Sequence, residues 1–362
     1  MVGINQQFIA EQLNISRTTV SRCFTNHPGI NPDTRAKVFA LASQMGYHYM
    51  EPKVRAKGPK NVSASIGVVV CSDVEEFNRP DYQSPGMELI PGVSEFAQLQ
   101  QVQMDLHFVS PVERSIEAPS YQRIFGSRRR KWRGVILIYP FPSAVLDELV
   151  TRYPCVSLVE QYSHTSLDCV DVDHHKGVAL MMSKLLQLGH RRVGFVSRKY
   201  AVEALWSYRR QSAYFEMVQR EKLGYRDADT IFVEDKPDGG ERDSYRQIIE
   251  RVEDGVTAFV CAADHQAYDL IHQLQLAGYR VPQDVSVTGF DGIRRPPGMP
   301  LLTTMRIPYR EIGLTGGRRL FELAGKRYDS PQHILLECNL EPGETIAPPR
   351  AVTAKKSGKK VA

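Results

Sequence analysis

The sequence predicts an all-α helix-turn-helix module followed by an α/β body built on parallel sheets. Two observations carry this. Residues 4–46 place apolar side chains at three- and four-residue spacing between strong helix caps. From residue 65 onward, short apolar runs such as "SIGVVV", "GVILIY", "RVGFVS" and "DVSVTGF" alternate with helical stretches, the pattern of successive βαβ units. With 362 residues the chain has room for two or three domains.

Charge singles out the front of the chain. Residues 1–60 hold 8 Lys and Arg against 3 Asp and Glu, and the remaining residues hold 38 of each. The net charge of +5 therefore sits in the first sixty residues, which suits a polyanionic partner. The 42% hydrophobic and 24% charged content is ordinary for a soluble globular protein. No apolar run approaches the roughly 18 residues of a membrane span, so none is expected. The opening "MVGINQQFIAEQL" lacks the basic start and apolar core of a secretory leader, and a cytoplasmic protein is expected. The six cysteines (Cys23, Cys71, Cys155, Cys169, Cys261, Cys338) show no CxxC spacing and are expected reduced and buried.

Three short helices are expected before residue 50. Asn5 can cap the first, which carries Ile9 and Leu13, and Asn14 can take the left-handed conformation that ends it. Ser16 can cap the second, with Ile15 and Val20 as a hydrophobic staple. Asn31 and Pro32 open the third, whose apolar face is Val38, Leu41, Ala42 and Met45, and Gly46 stops it. On the second helix Ile15, Val20, Cys23 and Phe24 face inward, leaving Arg17, Thr18, Ser21 and Arg22 outside. Hydroxyls and helix-start N–H groups can hold phosphates, and arginine can read guanine edges with two hydrogen bonds.

The stretch "IAEQLNISRTTVSRCFTNHPGINPDTRAKVFALASQMGY" resembles the headpiece of LacI/GalR-family transcription regulators. Ile9-Ala10, Ile15-Ser16, Thr19-Val20-Ser21-Arg22, Thr34-Arg35, Val38 and Gly46-Tyr47 carry the match. The resemblance puts Arg17, Thr18 and Arg22 on base edges and Ser16, Thr19 and Ser21 near phosphates. Phe8, Asn14 and Thr25 depart from the family's usual acidic residue, Gly and Asn. The hinge departs further. Residues 50–62 are basic, Pro52 would be tolerated only in the first turn of a hinge helix, and Ala56 stands where the family wedges a Leu into the minor groove. Val54 or Met50 is the expected apolar substitute.

The remainder resembles the family's periplasmic-binding-protein-like core, through "LLQLGHRRVGFVS" (185–197), "LAGYRVPQDVSVTGFDGI" (276–293) and "PLLTTMRIPYREIG" (300–313). The resemblance implies two Rossmann-like lobes with a small-molecule cleft, and domains at 1–49 (headpiece), 50–62 (hinge), 63–345 (bilobed effector-binding and dimerisation body) and 346–362 (flexible basic tail). A sugar-like effector needs carboxylates that accept from hydroxyls, an arginine that donates back and an aromatic face. The expected effector residues are Asp291 of "GFD", Arg209 of "RRQSA", Asp173 of "VDVDHHKG", Asp264 of "AAD" and Trp206. Asp264 has helix capping as its other reading. Ser212, Ala213 and Ala263 depart from the family pattern around these positions.

The implied partners are a double-stranded DNA operator of pseudo-palindromic sequence, read by a homodimer, and a small, sugar-like carbohydrate effector. No cofactor, metal or membrane is expected. Adjacent His174 and His175, read as part of a strand, would point to opposite faces and hold no metal. The basic run "RRRKWR" (128–133) reads as a solvated helix end before a strand. The tail has no leucine heptad, so no tetramer is expected. A transport solute-binding protein on the same core is the alternative, but it would need an export signal and no residues 1–50. An enzyme is the third reading, and no GxSxG, P-loop or HExxH motif supports it.

Overall fold

A computed structural model of the chain describes residues 5–24, 27, 29–45, 47, 65–72, 84–125, 132–163, 165–234, 240–325 and 330–350. The expected hinge residues Met50, Pro52, Val54 and Ala56, and the helix stop Gly46, lie outside them.

The front of the chain forms α1 (Gln6–Gln12), α2 (Arg17–Phe24) and α3 (Pro32–Gln44). Each starts where its cap predicts. Phe8 N donates to Asn5 Oδ1 at 3.0 Å, Thr19 N to Ser16 Oγ at 3.0 Å and Asp33 N to Asn31 Oδ1 at 2.7 Å. Such caps are worth about 1 kcal/mol each. Asn14 takes the left-handed conformation (φ 51°) that turns α1 into α2. Ile9, Val20, Cys23, Val38 and Ala42 are buried together, and Phe24 packs on Phe39 and Tyr47 with ring centroids 5.5 and 5.6 Å apart. The third helix differs from expectation. Leu41 and Met45 are only half-buried, whereas Arg35, Ala36, Phe39 and Ala40 are buried. This helix is covered on two sides, which a single amphipathic stripe does not anticipate.

The body runs β1 (Ser65–Cys71), α4 (Gly86–Leu99), β2 (Gln103–Val109), α5 (Pro119–Phe125), β3 (Trp132–Ile138), α6 (Ser143–Arg152), β4 (Cys155–Leu158), β5 (Asp168–Val172) and α7 (His174–Gln187). It continues with β6 (Val193–Arg198), α8 (Leu205–Arg220), β7 (Thr230–Val233), α9 (Gly240–Glu253), β8 (Ala258–Cys261), α10 (Asp264–Leu276) and β9 (Ser286–Asp291). It closes with β10 (Thr303–Arg306), α11 (Tyr309–Ala324), β11 (His333–Leu336) and β12 (Asn339–Glu341).

Two compact units result. The first comprises residues 1–174, 200–209 and 307–338; the second comprises 175–199, 210–306 and 339–362. The first holds a six-stranded sheet ordered β2-β1-β3-β4-β5-β11, parallel throughout. The second holds β7-β6-β8-β9-β10-β12, parallel except for the β10–β12 pair. The chain thus builds the same strand order twice. Strands β4, β5, β8 and β9 are buried along their whole length, because helices cover both faces of a parallel sheet. Val69, Leu137, Val145 and Leu149 pack in one core and Val196, Phe259, Ile271 and Val287 in the other; each such side chain contributes about 1.5–3 kcal/mol.

The expected tail begins later than its composition suggested. Thr345 is buried, Val287 N donates to Thr345 O at 2.9 Å, and Ala347 N donates to Ser286 Oγ at 3.0 Å. His190 Nε2 lies 2.9 Å from Ala347 O. Residues 346–350 are therefore fastened to the second unit. All six cysteines are buried and none forms a disulfide.

Candidate functional site

Helix α2 presents one polar face. Arg17, Thr18 and Arg22 are exposed, Thr19 and Ser21 are half-buried, and Val20 and Cys23 are fully buried beneath them. The Ser16 and Thr19 hydroxyls share a hydrogen bond of 2.8 Å at the helix start, so the cap also sets the first turn of this face. Burial pushes the Cys23 thiol up to about 11, which keeps it an inert packing group. Arg35 is 1% exposed and donates from Nη2 to His27 O at 2.8 Å, tying α3 to the turn that follows α2. The face can do what helix-turn-helix modules do: offer arginines and hydroxyls to a groove while the apolar side holds it rigid.

In the first unit the polar groups gather after β4 and β5. Asp173 is half-buried just past β5, with its N–H on Leu336 O at 3.1 Å. Trp206 and Arg209 lie three apart on α8, on one helix face. Trp206 packs against Tyr200 at 5.6 Å, and Arg209 Nη2 donates to Gln161 O at 2.7 Å. The sequence did not single out Glu160, and it considered Asp171 and His174 only as metal ligands and set them aside. Glu160 is 0% exposed; burial, with the Asp171 charge, lifts its pKa well above the ordinary range, against Arg209 and the N–H groups of Trp206 and Leu205. Burial also opposes charge on Asp171, but His174, Gln161 and Val172 N–H outweigh it and its pKa is lowered. Asp171 Oδ2 is 3.0 Å from His174 Nε2 and accepts from Gln161 Nε2 at 2.9 Å. The two histidines are not in a strand: they form the first turn of α7, His174 buried on Asp171 and His175 exposed. Val159, just before Glu160, has φ 60°. A β-branched residue in that region stores strain, a feature that gathers at functional sites.

In the second unit Asp291 ends β9 at φ 147° and is 5% exposed. Its Oδ1 is 3.2 Å from Arg210 Nη1. Arg210 also donates to Ala262 O and lies over the Phe290 ring, 3.9 Å from its centroid. Asp264 is the first residue of α10 and does not cap it; Ala263 occupies the cap position. Its carboxylate instead accepts from Gly292 N and Ile293 N, both at 2.8 Å, and from Thr304 Oγ1. Burial and the neighbouring Asp291 push Asp264 up to about 7. Asp264 is thus committed to holding the segment after β9, and Asp291 is the carboxylate it positions.

Arg210 was missed by one residue. Reading R-x-x-small-aromatic from Arg210 rather than Arg209 gives Ala213 and Tyr214 at the last two places. Tyr214 is fully buried, with its hydroxyl on Val193 O at 2.7 Å, so the aromatic was the available signal. No cluster of three or more His, Cys, Asp or Glu fit for a metal occurs among the described residues.

A polar-faced helix-turn-helix module joined to two doubly wound units of like strand order defines a two-part, headpiece-and-body protein. Residues 7–49 match the family described as bacterial regulatory proteins, lacI family, and residues 182–346 match the periplasmic binding protein-like domain. The chain therefore carries a lacI-family regulatory-protein headpiece ahead of a periplasmic binding protein-like domain. It is 26% identical to the HTH-type transcriptional regulator IpsA of Corynebacterium glutamicum, over 96% of this chain and 100% of that one. It is 24% identical to the HTH-type transcriptional repressor MelR of Bacillus subtilis, over 92% and 94%. Among solved structures it resembles the lac repressor dimer bound to operator and the anti-inducer ONPF, with TM-score 0.64, 20% identity and coverage of 95% and 99%. It also resembles the complex of the transcriptional regulator CelR with cellobiose, with TM-score 0.63, 19% identity and coverage of 95% and 100%.

Proposed function

We propose that the protein is a transcriptional repressor that binds a pseudo-palindromic DNA operator as a homodimer and answers to a small, sugar-like effector. The observation that carries this reading is the face of α2: Arg17, Thr18 and Arg22 stand exposed over a fully packed Val20 and Cys23. Arg17, Thr18 and Arg22 read base edges, and Ser16, Thr19 and Ser21 hold phosphates. A symmetric pair of such modules reads two half-sites. Relatives named as transcriptional regulators and a repressor support the DNA side. A related fold solved with cellobiose supports a carbohydrate effector.

In the first unit Asp173, Trp206 and Arg209 meet the effector. In the second Asp291 does so, with Asp264 and Arg210 setting its place and charge. The effector acts through its different affinity for two conformations. The protein is not an enzyme, and a chain that acts on the chromosome acts in the cytoplasm. No helix among the described residues is long and apolar enough to cross a membrane.

The test is selection of duplexes from a randomised pool by the full chain, followed by sequencing. A two-fold symmetric consensus supports the reading. Recovery of no enriched sequence, with equally weak retention of all duplexes, overturns it. A thermal-shift screen of mono- and disaccharides identifies the effector, since a ligand of the folded state raises the melting temperature.

A further inference from the structure

The turn that follows β4 sends a carboxylate inward. Val159 takes φ 60°, and its N–H still donates to Val170 O on β5 at 3.0 Å. Ser157 Oγ donates to Glu160 O at 2.7 Å, and Cys169 Sγ donates to the same oxygen at 3.2 Å. The Glu160 backbone is therefore held from two strands, and a β-branched residue is strained to bring it there. The Glu160 side chain is 0% exposed. Both of its carboxylate oxygens are buried without a hydrogen bond from any described residue. The Leu205 and Trp206 N–H groups, in the first turn of α8, favour its charge from nearby, but neither closes a bond. Arg209, further along α8, gives its Nη2 to Gln161 O, while its buried Nε also goes without an acceptor.

Two buried carboxylates share this corner, and only one is provided for. Asp171 accepts from Gln161 Nε2 at 2.9 Å and from Val172 N at 2.8 Å, and it lies 3.0 Å from His174 Nε2. It keeps its charge, and its pKa is lowered. Glu160 has the Asp171 charge beside it and no bond of its own, and its pKa is raised well above the ordinary carboxylate range. Neighbouring like charges out of water do not both persist, so Glu160 is the member that holds a proton. The other groups around it leave this unchanged. Cys169 on β5 and Tyr162 on the same loop are pushed up by burial and stay neutral. Arg209 favours the Glu160 charge without overcoming burial, and His174, at the start of α7, is engaged with Asp171. A buried acid with both oxygens unbonded is costly, and hydroxyls donated to it offset that cost.

We propose that effector binding expels the proton of Glu160: a pair of effector hydroxyls donates to its two oxygens, and the carboxylate so formed faces Arg209. The proton leaves to solvent, and no other group changes its charge. This rests on the effector half of the reading above, which places Trp206 and Arg209 on the effector, because those are the residues that neighbour Glu160. Hydrogen bonds from hydroxyls favour the charged form of a carboxyl group, and a carboxylate accepts them more strongly than a neutral acid does. The chemistry selects a polyol with adjacent hydroxyls over a ligand that offers only acceptors. The sign of the pH dependence follows. The free protein holds a proton that the complex lacks, so affinity for the effector rises with pH, by at most about tenfold per pH unit for one whole proton. The response to the effector is thereby coupled to pH through a residue that makes no contact with DNA.

The experiment titrates the full chain with glucose, galactose, ribose, maltose and cellobiose by calorimetry between about pH 6 and pH 8, each in two buffers of different protonation enthalpy. Glu160→Gln, which keeps the shape and cannot ionise, is run beside the wild type. For a saccharide that binds, the wild type is expected to release up to about one proton and to gain about 3–10-fold in affinity per pH unit. Glu160→Gln is expected to release none and to bind equally across the range. The wild type in two buffers tests the release without any variant. Infrared difference spectra of the free chains give a readout that needs no saccharide: a protonated-carboxyl band near neutral pH, present in the wild type and missing from Glu160→Gln. Identical spectra overturn the neutral acid and the proposal with it. Binding without proton release in the wild type, or release that persists in Glu160→Gln, overturns the expulsion from Glu160. If none of the saccharides binds, the sugar-effector reading falls and the expulsion falls with it, while the infrared band still shows whether Glu160 is neutral.

Discussion

Arg210 and Asp291 form a buried ion pair in the second unit, Nη1 to Oδ1 3.2 Å, with side chains only 4% and 7% exposed. Its neighbour Arg209 behaves differently: it is half-buried and donates to one backbone oxygen, that of Gln161 in the first unit. Removing one partner of a buried pair strands the other charge, at a cost of about 3–5 kcal/mol. Losing one hydrogen bond from a charged donor costs about 1.5–3 kcal/mol. Arg210→Met is therefore expected to destabilise the protein clearly more than Arg209→Met in urea unfolding. Equal losses in the two variants would remove the distinction drawn between these adjacent arginines.

The Asp264–Asp291 pair makes stability depend on pH. Asp264 is pushed up to about 7 by burial and by Asp291, whereas an unfolded aspartate titrates near 3.9. Between about 4 and 7 the folded chain keeps a proton that the unfolded chain has released, so this contribution to stability falls as pH rises through that window. Glu160, whose pKa burial also raises, acts with the same sign. His190 and His265, which burial drives down, act in the opposite sense. The measurable quantity is thus the difference between wild type and variant. Asp264→Asn, which can still accept from Gly292 and Ile293, is expected to gain melting temperature relative to wild type as pH rises from about 5 to about 7.5. A constant difference across that range would show that Asp264 ionises normally.

What the sequence disclosed and what it hid divide along a physical line. Asn5, Ser16 and Asn31 as caps, and Asn14 as a left-handed stop, are decided within four residues, and each is found where local chemistry puts it. Buried parallel strands are equally legible, because coverage on both faces makes them continuously apolar. Long-range contacts are not. Ala36 and Ala40 read as neutral helix positions until α4 covers them. Arg210 reads like Arg209 until Asp291, 81 residues away, takes one of the two. The strand reading of His174 and His175 failed because β5 ends at Val172 and α7 begins two residues later. The tail looked unattached because Ala347 is held by Ser286 and His190, partners its own composition does not name.

The outward face of α2 predicts which substitutions change specificity and which change stability. Arg22 is exposed on that face, and Arg22→Ala is expected to cost about 1–3 kcal/mol of binding to a selected duplex and to relax its sequence preference. Ser16 caps the helix through Thr19 N, and Ser16→Ala is expected to lose about 1 kcal/mol of headpiece stability as well as a phosphate contact. Binding to single-base variants of the duplex, measured beside thermal unfolding, separates the two effects, since losing a base contact relaxes sequence preference and losing a cap lowers stability. An unaltered preference in the Arg22 variant would move the reading face elsewhere.

The two tryptophans offer a direct optical test of the effector assignment. Trp132 is 7% exposed, with Nε1 donating to Asp105 Oδ2 at 2.7 Å, so its emission reports unfolding of the first unit. Trp206 is half-buried against Tyr200 on the first turn of α8, where a ring can cover the apolar face of a sugar. An aromatic contact of this kind is worth about 0.5–1.5 kcal/mol beyond area burial, roughly a 2–12-fold change in affinity. With a saccharide found by the thermal-shift screen, wild-type emission is expected to change on titration. Trp206→Phe is expected to lose that change and to bind the saccharide more weakly in calorimetry, while the unfolding signal of Trp132 persists. A variant that keeps both the full emission change and the full affinity would place the effector away from α8.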